Sequence, residues 1–462
     1  MKIKSGMLSC IPETLSMRII DAIRLKKNDR LALVGSGGKT TAMFRLARQY
    51  DASVLLTTTT HLAVEEGELA DVHFTLGPHD SLPDLKAAFR SCRVVLVTGL
   101  AHADGRLGSV TDKVLSGLKQ FADQAGMPLL IEADGSRKLP IKAPATNEPV
   151  IPEWTTAVAV SVGLSCLGLP ANDTSVHRFP VFAQITGVEE NQPLTQQVLE
   201  NMFVHPDGGL KGIPRGARRI ALLNQADDAE RLAQAISLAK HLVGVYDMAL
   251  VTSFHQASGQ DDTLYCAERT AGIILAAGGA TRFGQPKSLL EWNGESFIRH
   301  VAKTSLAAGL KPLVVVLGAT VQPIRESLKG LEVQFVENQN WESGQSSSLR
   351  VGMQNILPTN CGGCIILQAD QPRVPVGLIE AEIDLHSRNK LYNIVPRVDS
   401  HPSSPVLFDR KYFTALMEIE GDQGGRAILA RYPLKWLAWN RSEDLLDIDT
   451  PEDYQKFLKI GE

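Results

Sequence analysis

The sequence predicts two nucleotide-binding α/β domains in succession, over residues 1–265 and 268–462. Three observations carry that expectation. The chain has 462 residues, about three times the length of a typical single domain. Near residue 31 an apolar run opens into Gly35-Ser-Gly-Gly-Lys-Thr-Thr41 and then into a helix. Near residue 271 a second apolar run opens into Gly278-Gly-Ala-Thr-Arg-Phe-Gly-Gln-Pro-Lys287, with a helix after it. An apolar strand feeding a glycine-rich loop is how nucleotide sites begin in α/β sheets. The glycines let backbone N–H groups close around phosphate oxygens.

Composition narrows the function. Apolar residues make 44% of the chain, as in an ordinary globular protein. A net charge of -4 provides no basic field, so nucleic acid is not an expected partner. Small-molecule substrates are. Six cysteines, at 10, 92, 166, 266, 361 and 364, are too few for a disulfide scaffold, which points to a reduced, cytoplasmic setting. The N-terminus shows no apolar stretch of signal-peptide length, and the run over 155–170 is too short and polar to span a membrane.

The first half opens with a weakly amphipathic helix over 12–26, broken by Asn28 and Asp29. Residues 31–34 form a short buried strand, the glycine loop follows, and 42–50 continue as helix. Strand, glycine turn, Lys-Thr and helix make a phosphate-binding arrangement. Gly35, Gly37 and Gly38 would bring backbone close to phosphate. Lys39 would reach the β and γ phosphates, and Thr40 would offer its hydroxyl to magnesium. The full motif wants a glycine where this chain has Leu33. A glycine turn carrying a surface lysine is the competing reading.

Residues 54–61 form the next strand, with Thr58, Thr59 and His61 as candidate site residues; β-propensity and capping are the plain alternative. Residues 94–97 and 129–134 are further strands. The latter ends in Glu132 and Asp134, carboxylates on the magnesium side of a phosphate loop. Arg137, Lys138 and Lys142 would bind an anionic second substrate or face solvent. A strand over 158–164 follows, then His177-Arg178, a mostly helical stretch over 181–200, a strand over 220–223, a helix over 229–241 and a final strand over 249–254.

In the second half the alternation restarts. Residues 271–277 are the first strand, 296–310 a helix, 313–318 a strand, 321–328 a helix and 333–336 a shorter strand. Glu337-Asn-Gln-Asn-Trp-Glu-Ser-Gly-Gln-Ser-Ser-Ser348 is a polar loop that starts a helix through 353. Ser346 and Ser347 there would meet a ligand or cap the helix. Residues 364–370 are a central strand that delivers Asp370, a hard oxygen ligand, to the crevice. Cys361 and Cys364 have the spacing of half a zinc site, with no second pair nearby. Residues 393–396 and 406–408 are strands around the loop bearing His401. Arg426 begins a helix over 427–431, an unfavourable place for a cation unless an anion is close. Asp447 and Asp449 share one side of an extended stretch before the helix capped by Thr450.

Several of these motifs together resemble known families. Gly35-Ser-Gly-Gly-Lys-Thr-Thr41 resembles the loop of the Mur ligases, which use ATP. That loop, with Thr57-Thr-Thr-Thr-His61, Glu132-Ala-Asp-Gly-Ser-Arg137, Lys142-Ala-Pro144, Val176-His-Arg178 and Leu223-Asn-Gln-Ala-Asp227, resembles the accessory proteins of selenium-dependent molybdenum hydroxylases. The resemblance spans about 30–255 and implies a P-loop-like domain, ATP, and an apo molybdenum hydroxylase as partner. The run over 271–457 resembles the molybdenum cofactor cytidylyltransferases. It does so through Leu275-Ala-Ala-Gly-Gly-Ala-Thr-Arg-Phe-Gly-Gln-Pro-Lys287, Asp370-Gln-Pro372, the His401-Pro402 loop, Gly421-Asp-Gln-Gly-Gly-Arg426 and Asp447-Ile-Asp-Thr-Pro-Glu-Asp453. Phe283 stands where that family has methionine, and Asp399-Ser-His-Pro402 lacks the family's glycine before His-Pro.

This second resemblance implies a Rossmann-like nucleotidyltransferase fold with a mostly parallel sheet. It implies CMP transfer from CTP to molybdopterin or its molybdenum form, with pyrophosphate released. Leu275, Ala276, Ala277, Gly278, Gly279 and Ser346 would hold the nucleotide. Arg282 and Lys287 would bind its phosphates, and Asp370 with Asp449 would hold Mg2+. The attacking phosphate is already anionic, so the enzyme would mainly align two anions and neutralise growing charge. A guanylyl or sugar-phosphate transferase on the same fold, and a nucleotide-switched maturation scaffold, are the alternative readings.

Overall fold

The computed structural model describes residues 17–135, 137, 139–254, 262–279, 286–421, 424–446, 448 and 450–459. The chain divides into two compact units, Met1–Ala267 and Glu268–Glu462.

The first unit is built on a nine-stranded sheet. In spatial order its strands are Thr263–Glu268, Met248–Thr252, Arg218–Asn224, Ala157–Gly163, Arg30–Gly35, Leu129–Glu132, Val54–Thr58, Val94–Gly99 and Val72–Leu76. From Met248–Thr252 to Val72–Leu76 every neighbouring pair is parallel. Such strands are covered on both faces, and the sequence of Arg30–Gly35 shows how. Leu31 and Leu33 pack into one apolar layer, Ala32 and Val34 into the other. This explains why the strand reads as an unbroken apolar run rather than an alternating one.

After Arg30–Gly35 the chain builds the sheet outward on one side, returns to pair Leu129–Glu132 beside it, and then crosses to Ala157–Gly163 on the other side. The glycine loop therefore lies at a switch of direction, where open α/β sheets form their ligand crevice.

The second unit has an eight-stranded mixed sheet. Thr270–Ala276 is central and parallel to Leu313–Leu317 on one side and Gly363–Gln368 on the other. Gln334–Glu337 extends the first side in parallel. On the other side Val406–Asp409 runs antiparallel to Gly363–Gln368, and Asn393–Val398 pairs with it, with His401–Pro402 and with Leu434–Ala438. Ile273 and Leu275 face one apolar layer, Ile274 and Ala276 the other. At the strand ends away from the glycine loop lies a buried polar chain. Lys390 Nζ is 2.9 Å from Glu268 Oε2 and 3.3 Å from His386 Nδ1, and His386 Nε2 is 2.9 Å from Asp409 Oδ2.

Several expected elements are corrected. The helix over 12–26 is Ile19–Ile23 among the described residues, closed by Arg24 in a left-handed conformation. The stretch over 181–200 is two helices, Phe179–Thr186 and Gln196–Val204, because Gly187 turns left-handed and ends the first. The strand expected over 129–134 stops at Glu132, and Thr263–Glu268 follows the strand expected to be last. The helix Val376–Arg388 and the strands Val72–Leu76 and Leu434–Ala438 were not expected at all.

Candidate active site

In the first unit the glycine loop is held from behind by backbone. Gly35, Gly37 and Gly38 have φ of 92°, 74° and 113°. A Cβ at Gly35 would lie 2.2 Å from the Ser161 carbonyl oxygen, and one at Gly37 would lie 2.1 Å from the Gly163 nitrogen. Glycine is demanded by conformation and by space together. The Asn224 amide donates to the Gly37 carbonyl at 2.7 Å, and the Gly35 N–H donates to Asp134 Oδ2 at 2.8 Å.

The helix Lys39–Gln49 starts directly after this loop, and Gly38 gives its N-terminus no side-chain cap. Lys39 is 4% exposed. Its ammonium donates to the Gly35 carbonyl at 2.8 Å and stands 3.6 Å from Glu132 and 3.4 Å from Asp134. Burial works against its charge, but the two carboxylates prevail and its pKa is raised. The Thr40 hydroxyl donates to Glu132 Oε2 at 2.7 Å. Hydroxyl and carboxylate oxygens here are the hard donors a divalent cation takes. A cleft of about 870 Å³ opens from Gly37–Thr41 toward His61, Glu66, Arg106, Arg137, His177 and Arg178. Thr58 and Thr59 face elsewhere, their hydroxyls donating to the Glu132 and Val150 carbonyls at 3.0 and 2.8 Å.

Burial lifts the Glu132 carboxyl to about 7, aided by Glu66 and Asp134 and opposed by Lys39 and Thr40. The folded chain thus holds this proton more tightly than the unfolded one, where the group titrates near 4.5. The cost of its buried charge is present above pH 7 and relieved as pH falls toward 4.5. Glu132→Gln lacks that charge. It is expected to melt higher than wild type at about pH 8 and to lose the advantage by about pH 5. Equal differences at both pH values in thermal melts would refute the assignment.

In the second unit a cleft of about 590 Å³ lies at the end of the central strand. Leu275, Ala276, Ala277, Gly278, Gly279, Lys287 and Asp370 all line it. Arg282 and Asp449 lie outside the described residues, as do Phe283 and Asp447. Asp370 comes two residues after the strand Gly363–Gln368, in the turn rather than on the strand tip. Ser346 is not in the lining. It is 1% exposed and its hydroxyl donates to the Gly421 carbonyl at 2.6 Å. Gln345 and Ser348 line the cleft instead, and Asn338 donates to Ser348 Oγ at 2.9 Å. The helix Gln345–Ile356 starts after Gly344, which offers no side-chain cap. Its first N–H groups stand at the cleft wall, a setting suited to an anion.

Trp341 was not singled out in the sequence. It lines the cleft, and a Cβ at Gly279 would meet its ring at 3.2 Å. A lone tryptophan in a polar loop was the available signal.

A second compartment of about 310 Å³ shares Gln345, Gln368 and Asp370 with the first. Its remaining wall includes Ser404, Phe408 and Arg426, whose guanidinium donates to the Ser404 hydroxyl at 2.7 Å. His401 lines neither compartment; it is exposed, with Nδ1 2.8 Å from the Asp399 carbonyl. Cys361 and Cys364 are both buried free cysteines, and burial pushes both thiols up. Among the described residues no helix is long and apolar enough to cross a membrane.

Comparison with known proteins follows the same division. Residues 31–180 match the YqeC protein family and residues 272–436 the MobA-like NTP transferase domain. An Escherichia coli (strain K12) protein, the uncharacterized protein YqeC, is 33% identical over 222 residues, 46% of this chain and 83% of its own length. The nicotine blue oxidoreductase of Paenarthrobacter nicotinovorans is 28% identical over 204 residues, 40% of this chain and 95% of its own. A probable molybdenum cofactor guanylyltransferase of Bacillus mycoides (strain KBAB4) is 25% identical over 203 residues, 41% of this chain and 96% of its own. These relatives correct the expectation of CMP transfer from CTP, because several of them are described as probable molybdenum cofactor guanylyltransferases and point to GTP instead. The physical reason is plain. The quoted motifs address phosphates and metal, which CTP and GTP share, and the loop backbone expected to meet the base as well does not by residue type single out one base.

Proposed function

The chain belongs to the YqeC family through its first half and carries a MobA-like nucleotidyltransferase domain in its second, and on that premise we propose that the second domain transfers a guanylyl group from GTP to the molybdenum cofactor. The guanylyl group follows the relatives, and the observation that carries transfer between two substrates is the pair of adjoining compartments with Asp370 in the wall between them. The larger has glycine-loop backbone, Lys287 and an uncapped helix start, all suited to a triphosphate. The smaller, with Arg426, suits the terminal phosphate of the acceptor. Asp370, a hard-oxygen side chain shared by both compartments, is placed to hold Mg2+, which when bound would neutralise charge on the phosphates. The protein's part is alignment. The two walls bring the acceptor oxygen and the α phosphorus together, and Lys287 offsets charge on the departing pyrophosphate.

The test is pyrophosphate release by the full chain with purified molybdopterin and one nucleotide at a time. GTP is expected to turn over well above CTP and ATP. Turnover with CTP or ATP equal to that with GTP would overturn the assignment.

For the first unit we propose that its glycine loop binds a nucleoside triphosphate and that this half serves maturation of a molybdenum hydroxylase. The support is the loop's geometry, with Lys39, Thr40 and Glu132 gathered at an uncapped helix start, and its place on one chain with a molybdenum cofactor domain. An apo-hydroxylase is expected to be retained on the immobilised chain more strongly with ATP and magnesium than without. Equal retention would reject the switch.

A further inference from the structure

We propose that the cleft of the first unit contains a second compartment, beside the glycine loop, that binds a small phosphate-like oxyanion through Arg137, His177 and Arg178. This goes beyond the nucleotide reading of the loop and does not depend on it. The cleft, at about 870 Å³, lies in the upper part of the range that encloses one drug-sized ligand. Beyond the glycine loop, its lining includes Arg137, Glu148, Ser165, His177, Arg178 and Gln225.

That lining is conformationally unusual. Arg137, Arg178 and Gln225 have φ of 50°, 64° and 68°, in the left-handed region that a side chain disfavours. Such a residue persists only where its surroundings hold it, which is common at ligand sites. Here the surroundings do hold it. The Arg178 guanidinium grips Glu148 with two hydrogen bonds, 2.8 and 3.1 Å, and donates to the Ala143 carbonyl at 3.1 Å. Glu148 also accepts from Lys142 at 3.0 Å. Gln225 accepts from the Ser165 hydroxyl at 2.6 Å.

The charges do not balance within the lining. The half-buried imidazole of His177 is made less basic first by burial and then by Arg178, Lys142 and Arg137, with Glu148 alone acting the other way. Lys142 is already committed to Asp134 at 2.8 Å as well as to Glu148. Arg137 makes no hydrogen bond or ion pair among the described residues. Glu148 and Asp134 are taken up by Arg178 and Lys142, so two carboxylates face three cations around one imidazole and Arg137 is the cation left over. A guanidinium offers paired donors to tetrahedral oxyanions, so a phosphate group is the chemistry that fits.

The probe is inorganic phosphate, titrated calorimetrically into the full chain. Wild type is expected to bind it at millimolar concentration or below. Arg137→Gln, with an unchanged melting temperature, is expected to weaken binding about tenfold or more, the loss of one charge-assisted contact. His177→Gln serves as an independent second variant and is expected to weaken it too. No binding by wild type, or wild-type binding by both variants, would overturn the proposal. So would complete displacement of phosphate by magnesium ATP, which would put these residues on the nucleotide's own terminal phosphate. Wild type that binds phosphate in an Arg137-dependent way but shows no magnesium ATP binding would leave the compartment standing and remove the nucleotide reading instead.

Discussion

Asp370→Ala is expected to lower turnover of the second domain by about 10²–10³-fold while GTP affinity changes only a few-fold. Asp370 lines both compartments, so in the proposed reaction it would stand where the bond forms and breaks. Charge there grows toward the transition state, and a group that helps hold Mg2+ at that point acts mainly on the rate. Most of the GTP contacts would survive, since the backbone of 276–279 and Lys287 lie elsewhere in the cleft wall. Single-turnover kinetics with saturating GTP, beside equilibrium GTP binding, separates the two terms. Turnover within a few-fold of wild type would remove Asp370 from the chemistry.

Lys390→Met is expected to destabilise the second unit by about 3–5 kcal/mol. The ammonium of Lys390 is 1% exposed and Glu268, its partner at 2.9 Å, is 3% exposed. Taking away one member of a buried pair leaves a charge in surroundings that solvate it badly, whereas the pair itself contributes little over an apolar replacement. The melting temperature of this unit should fall by roughly 10 °C, and adding Glu268→Gln should recover part of the loss. A single variant that melts within roughly 2 °C of wild type would show that the pair bears no such load. GTP turnover at low temperature should stay near wild type, since the pair lies at the strand ends away from the glycine loop.

These two sites differ in how readable they were. Asp370 was visible because a long apolar run ended in Asp-Gln-Pro, and a parallel strand buried on both faces has to read that way. The polar chain of Glu268, His386, Lys390 and Asp409 was invisible. Its members are scattered over some 140 positions, on two strands, the helix Val376–Arg388 and the turn after it, and meet only in the tertiary fold. Strand limits erred where exposure blurred the pattern. Val72–Leu76 is a half-exposed edge and Leu434–Ala438 is largely uncovered, so neither shows a clean apolar signature. The helix Val376–Arg388 hides for the opposite reason, burying Glu382 and His386 among its apolar residues.

The glycine loop of the first unit was legible as a motif, but not its supports. Nothing in Asn224 announces that its amide holds the Gly37 carbonyl, nor in Ser161 that its backbone leaves no room for a Cβ on Gly35. Base choice in the second unit was misjudged because phosphate-binding backbone is indifferent to the base. The triple serine drew attention to Ser346, which is spent on the Gly421 carbonyl, while Gln345 and Ser348 beside it reach the cleft.

The wall shared by the two compartments of the second unit has a stereochemical consequence. Gln345, Gln368 and Asp370 border both cavities, so in the proposed reaction donor and acceptor would lie side by side. In the reaction proposed they would form a ternary complex, and a single direct displacement would leave the configuration at the transferred phosphorus inverted, with no enzyme-linked nucleotide along the way.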